Sequence, residues 1–112
     1  MSKTVLIVDD AYFMRNLIKR DLKEAGYEVI GEAKNGLDAI PQILMMQPEF
    51  VLIDLLMPKL DGIETIERLQ QNGFKGQFIM ISQVVNKEMV AEGYSKGIEF
   101  FIHKPINKVE VQ

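Results

Sequence analysis

Residues 4–10 read Thr4-Val5-Leu6-Ile7-Val8-Asp9-Asp10. After Thr4 the run is unbroken apolar and rich in β-branched residues, and it stops abruptly at two carboxylates. A strand with one wet face would alternate apolar and polar residues. An uninterrupted run fits a strand buried on both faces, as in a parallel sheet covered by helices. Downstream, Met14, Leu17, Ile18, Leu22 and Ala25 recur on one helical face. Arg15, Asn16, Lys19, Arg20, Lys23 and Glu24 fall mostly on the opposite side. Gly26 is suited to end that helix in a left-handed conformation.

The same alternation continues along the chain. Tyr27 to Ala33 predicts a second strand, and Asn35 predicts the cap of a helix from about Gly36 to Met46. Pro41 lies inside that helix and should kink or shorten it, because proline has no amide hydrogen to donate. Phe50-Val51-Leu52-Ile53 is a third strand ending at Asp54. A helix over Leu60 to Gln71 follows, with Leu60, Ile63, Ile66 and Leu69 on its buried face. Phe78 to Ile81 is a fourth strand ending at Ser82, and Asn86 to Lys96 is a weaker helix. Ile98 to Ile102 is a fifth strand leading into His103-Lys104-Pro105. Five strands alternating with helices predict an α/β fold, a doubly wound open parallel sheet with helices on both faces. The final helix, from about Ile106, has room for roughly two turns before Gln112. Its truncation predicts that residues 1–112 are one domain, the N-terminal part of a longer protein.

Composition narrows the function. A chain of 112 residues, 47% hydrophobic and 26% charged, suits one ordinary globular domain. With 13 Lys+Arg against 16 Asp+Glu the net charge is −3. This argues against nucleic-acid binding by the domain itself, which needs a clustered basic face. There is no cysteine and one histidine, which removes disulfides, thiolate metal sites and cysteine nucleophiles. No apolar run approaches the ~20 residues of a membrane span, and the N-terminus lacks a secretory pattern. A cytoplasmic location, with no membrane partner, is the expectation.

Ligands of parallel α/β sheets bind beyond the carboxyl ends of the strands. The chain delivers Asp9 and Asp10, Asp54, Ser82 and Lys104 to those ends. Singly, each has a plain structural reading as a turn, cap or solvated surface residue. Together at one edge they form a constellation. Converging carboxylates repel unless one is protonated or a cation sits among them. A hard divalent ion such as Mg²⁺ suits an all-oxygen set. Asp54 can then act as a nucleophile toward phosphorus, with the ion and the Lys104 ammonium offsetting charge on the transferring group. Ser82 offers a hydroxyl donor.

These residues resemble the receiver family of two-component response regulators across essentially the whole chain. The resemblance is carried by Val5-Leu6-Ile7-Val8-Asp9-Asp10, by Asp54-Leu55-Leu56-Met57-Pro58-Lys59-Leu60-Asp61-Gly62, by Ser82 after a hydrophobic strand, and by Phe101-Ile102-His103-Lys104-Pro105. It implies a flavodoxin-like strand order 2-1-3-4-5. It implies Asp54 as the phosphoacceptor and Asp10 and Asp54 as Mg²⁺ ligands, with the Leu56 backbone carbonyl, and with Asp9 acting directly or through water. Ser82 and Lys104 are the implied phosphoryl contacts, and Phe101 the switch aromatic. The implied partner is a sensor histidine kinase whose phosphohistidine supplies the group to Asp54. Ser82 and then Phe101 follow the new charge inward and remodel the face formed by helix 4, strand 5 and helix 5. That face is also the expected homodimer contact. A transcriptional output is expected, with DNA bound by a further domain.

Some positions depart from the common pattern. Gln83 stands where the family has a small residue. Leu56 and Val84 are apolar and cannot orient an attacking water, which predicts a long-lived phosphorylated state. Phe101 lacks the hydroxyl of the common Tyr, so any switch relies on packing. His103 reads as structural or interfacial. An enzyme of the haloacid-dehalogenase type would carry a second Asp at position 56, and no phosphate-binding glycine motif occurs. The remaining alternative is a receiver-like interaction module that works without phosphorylation.

Overall fold

The apolar runs become strands and the amphipathic stretches helices in a computed structural model that describes residues 3–54, 62–82, 91, 95 and 98–103. Ser82 and residues 98–103 are described by backbone alone. The order is β1 (Lys3–Val8), α1 (Tyr12–Glu24), β2 (Tyr27–Ala33), α2 (Gly36–Met46), β3 (Phe50–Asp54), α3 (Gly62–Gln71), β4 (Gln77–Ser82) and β5 (Ile98–His103). The strands form one parallel sheet in the order β2-β1-β3-β4-β5, as expected of the flavodoxin-like arrangement. The weak helix expected over Asn86 to Lys96 and the short final helix lie largely or wholly outside the described residues.

Strand alternation divides the core into two layers. Val5, Ile7, Leu52 and Ile81 point to one side and pack with Ile18 of α1, flanked by Met14 and Leu22. Leu6, Val8, Val51, Ile53, Phe78 and Met80 point to the other, against Ala39 and Ile43 of α2 and Ile66 and Leu69 of α3. Burying both faces explains why these strands are continuous apolar runs. Each fully buried Ile or Leu contributes roughly 1.5–3 kcal/mol.

Local signals set the helix ends, with a few departures. Gly26 has φ +91, and its amide donates to the Lys23 carbonyl at 3.0 Å. Ala25, expected on the buried face of α1, is instead its exposed C-cap. Asn35 Oδ1 accepts from the Asp38 amide at 2.8 Å and caps α2. Pro41 does not shorten α2, which runs all 11 residues through it. Pro41 and Leu37 are both exposed, so water can reach the Leu37 carbonyl that the proline leaves without its helical donor. In α3, Ile66 and Leu69 are buried as expected and Ile63 packs against them; Leu60 lies outside the described residues. No described helix is long and apolar enough to cross a membrane.

One irregularity governs the site. The pairing of β1 with β2 steps from Val5↔Val29 to Leu6↔Gly31, so Ile30 is an extra residue in β2. Tyr27 and Val29 pack on the α1 side of the sheet. Strict alternation would place Ala33 there too. The bulge reverses the phase: Ala33 joins the α2–α3 core, and Glu32 turns to α1.

Candidate functional site

β1 and β3 are neighbours in register, with Val8 opposite Ile53. The next residue on each strand, Asp9 and Asp54, therefore lies at the same level of the sheet's carboxyl edge. The Asp9 amide donates to the Ala33 carbonyl at 3.1 Å, extending the ladder by one residue. One carboxylate oxygen from each of Asp9, Asp10 and Asp54 lies within 4.8 Å of the others. Asp9 is fully buried and Asp54 nearly so, while Asp10 is exposed. Two like charges 4 Å apart repel by roughly 4 kcal/mol in a partly screened site. The donor set fits a hard divalent cation. It is all oxygen, three negative charges face one point, and the exposed Asp10 side leaves room for retained waters, as Mg²⁺ prefers.

The loop carrying these acids is tied on several sides. Asp9 Oδ1 accepts from the Ala11 amide at 2.9 Å, a turn typical of Asp. Arg15 Nη1 donates to the Asp9 backbone carbonyl at 2.7 Å, and Arg15 Nε donates to Glu32 Oε1 at 2.9 Å. Lys19 Nζ takes the second oxygen, Glu32 Oε2, at 2.6 Å. The Lys19 and Arg15 hydrogen bonds hold the Glu32 carboxyl below its ordinary range, against a smaller opposing effect of burial. An open cavity of about 470 Å³ adjoins this cluster, bordered by Arg15, Glu32, Lys34, Leu37 and Asp38 among others.

Of the residues expected at the site, Asp9, Asp10 and Asp54 are brought together. Ser82 closes β4 one residue beyond Ile81, the register partner of Asp54. Phe101 is opposite Met80 on β5, and His103 is opposite Ser82. Leu56 and Lys104 lie outside the described residues, as do Gln83 and Val84. Sequence reasoning missed the roles of Arg15, Lys19 and Glu32. Helical periodicity put Arg15 and Lys19 on the face opposite the apolar one, yet the Arg15 side chain is only 12% exposed. No local signal marks the bulge that brings Glu32 to them.

The sequence profile of the "response regulator receiver domain" matches residues 5–112, nearly the whole chain. This chain belongs to the response regulator receiver family. Among curated relatives, the transcriptional regulatory protein GlnL of Bacillus subtilis is 47% identical over 107 residues, covering 94% of this receiver but 34% of GlnL. The chain thus spans about a third of that relative. Chemotaxis protein CheY of Thermotoga maritima is 39% identical over 111 residues, covering 99% of this receiver and 92% of CheY. Among solved structures, a CheX–CheY–BeF₃–Mg²⁺ complex from Borrelia burgdorferi superposes with TM-score 0.91 at 29% identity, covering 96% of this receiver and 82% of that chain. Family membership makes this chain a signalling module of the two-component type, and the three-carboxylate cluster fits Mg²⁺ binding as receivers use it.

Proposed function

We propose that this receiver accepts a phosphoryl group on Asp54 from the phosphohistidine of a sensor kinase, with Mg²⁺ held by Asp9, Asp10, Asp54 and the Leu56 carbonyl. The observation that carries the reading is the meeting of three carboxylates within 4.8 Å at the carboxyl end of the central strand β3. Bound there, the cation offsets the negative charge of the acids and of the incoming phosphoryl oxygens. An Asp54 carboxylate oxygen attacks phosphorus in line; the phosphorus–oxygen bond forms as the phosphorus–nitrogen bond breaks, and the imidazole leaves neutral because its other ring nitrogen already carries a proton. Ser82 and Lys104 contact the phosphoryl oxygens. Asp54 is nearly buried, so the acyl phosphate forms in a site with little competing water.

Phosphorylation then draws Ser82 inward and Phe101 after it, shifting a pre-existing equilibrium of the face formed by helix 4, β5 and helix 5. That face is the homodimer contact in this reading. Residues 1–112 are the N-terminal receiver of a longer cytoplasmic regulator, and the chain acts as a switch rather than as an enzyme on other molecules. The similarity to GlnL favours a transcriptional output through a separate DNA-binding domain, whereas the CheY relatives favour an output in chemotaxis. Leu56 and Val84, two residues after the acceptor and two after Ser82 in the sequence, are apolar and cannot orient an attacking water, so the phosphorylated state is long-lived.

Intact-mass measurement after incubation with acetyl phosphate or phosphoramidate tests the reading. A single adduct of ~80 Da that requires Mg²⁺ and is absent from Asp54→Asn is the expected result. No adduct in folded protein with either donor would replace it with the phosphorylation-independent interaction module. Loss of the adduct within seconds would contradict the long lifetime.

A further inference from the structure

We propose that Arg15, anchored on Glu32, is a positioning residue that sets the place of the Asp10 carboxylate in the acidic site. The inference rests on the reading of that site as an Mg²⁺ and phosphoryl site.

Asp9 is anchored by its place in the sheet, because its amide bonds to the Ala33 carbonyl and its Oδ1 to the Ala11 amide. Asp10 lies beyond the end of β1 and is exposed, so repulsion from Asp9 and Asp54 acts to swing it outward. The peptide unit joining Asp9 to Asp10 is planar. Fixing the direction of the Asp9 carbonyl therefore fixes the direction in which the Asp10 Cα leaves. Arg15 Nη1 holds that carbonyl at 2.7 Å.

The clamp depends on guanidinium geometry. Nε and Nη1 donate to two acceptors on different elements, Glu32 on β2 and the Asp9 carbonyl after β1. A lysine at position 15 keeps the charge but cannot present that rigid fork. Lys19 occupies the other oxygen of Glu32 and so limits its rotation. The β2 bulge that turns Glu32 toward α1 belongs to the same arrangement; bulges commonly re-aim a side chain beside a functional site. Groups outside the coordination sphere that orient ligands typically tune metal affinity 10- to 100-fold.

The test is the Mg²⁺ dissociation constant of the whole chain by isothermal titration calorimetry, measured well below each variant's melting temperature. Arg15→Lys is expected to bind Mg²⁺ about tenfold more weakly. Glu32→Ala, which removes the anchor and leaves Arg15 in place, should weaken it in the same sense, and it stands in if Arg15→Lys fails to fold. Ile43→Val, a core change of modest stability cost, should leave it unaltered. Phosphorylation of Arg15→Lys by acetyl phosphate should be slow at low Mg²⁺ and recover at saturating Mg²⁺. Wild-type affinity in both clamp variants, or a defect that saturating Mg²⁺ does not recover, would overturn the positioning role while leaving the site reading intact. Absence of Mg²⁺ binding in the wild-type chain would overturn both.

Discussion

Lys19 Nζ stands 2.6 Å from Glu32 Oε2, and the same carboxylate holds Arg15 on its other oxygen. Glu32 is thereby kept ionised below the ordinary glutamate value of 4.5. A lowered folded-state pKa means that the pair contributes fully above about pH 4.5. As pH falls below that value the unfolded chain takes up the proton first, and the contribution is lost by the lower folded value. The groups are about a third exposed or less, so each arm is worth about 0.2–1 kcal/mol. Chemical denaturation of wild type and Glu32→Gln should show a gap at pH 7 that closes as the pH is lowered through this window. A gap that persists or widens in acid would contradict the sign.

Asp10 is the exposed member of the acidic trio. Asp10→Asn removes one negative charge from the cluster and should stabilise the metal-free protein by at least about 1 kcal/mol, the figure for full screening by water at the exposed Asp10. The melting temperature should rise by several degrees without Mg²⁺. The stabilisation that Mg²⁺ adds to the wild type by binding the folded state should shrink in the variant. Thermal melts with EDTA and with excess Mg²⁺ measure both effects.

Within α2, two substitutions should move stability in opposite directions. Asn35→Ala removes the bond from the Asp38 amide to Oδ1 and should cost about 1 kcal/mol. Pro41→Ala restores a donor for the Leu37 carbonyl in the helix interior. Its gain of up to ~3 kcal/mol from helix propensity is partly offset by the freer unfolded chain, by about 0.4–1 kcal/mol. Urea midpoints should fall for the first and rise for the second.

Ile53 and Met80 are paired across β3 and β4 and fully buried on the α2–α3 side. Truncating either to Ala should cost about 2–5 kcal/mol. The pair should be less than additive, because the two side chains border the same space. A double-mutant cycle by denaturant unfolding gives the coupling.

Much of the fold is legible in the sequence. Strands β1, β3 and β4 follow from unbroken apolar runs, and α1 and α3 from 3.6-residue periodicity, both signals local to the chain. Gly26 marked a helix end because, lacking a Cβ, it takes a positive φ freely, and Asn35 because its side-chain oxygen accepts a backbone hydrogen bond. Asp9, Asp10 and Asp54 could be placed at one edge because each follows a strand that must run parallel to its neighbours. The misreadings were of the same local origin. Periodicity put Arg15 and Lys19 on the face opposite the apolar one without showing their partner Glu32, and the shortening of α2 that proline chemistry allowed does not occur, because water can reach the Leu37 carbonyl.

By itself, then, the sequence determined the order of elements, the parallel sheet and the acids at its carboxyl edge, since period and residue type act within a few neighbouring residues. Only the tertiary structure decided the approach of the three carboxylates to within 4.8 Å and the turning of Glu32 toward α1 through the extra residue Ile30. Both depend on which residue of one strand lies opposite which residue of another. Register is a relation between distant parts of the chain, and a one-residue slip in it reverses the face of every side chain that follows.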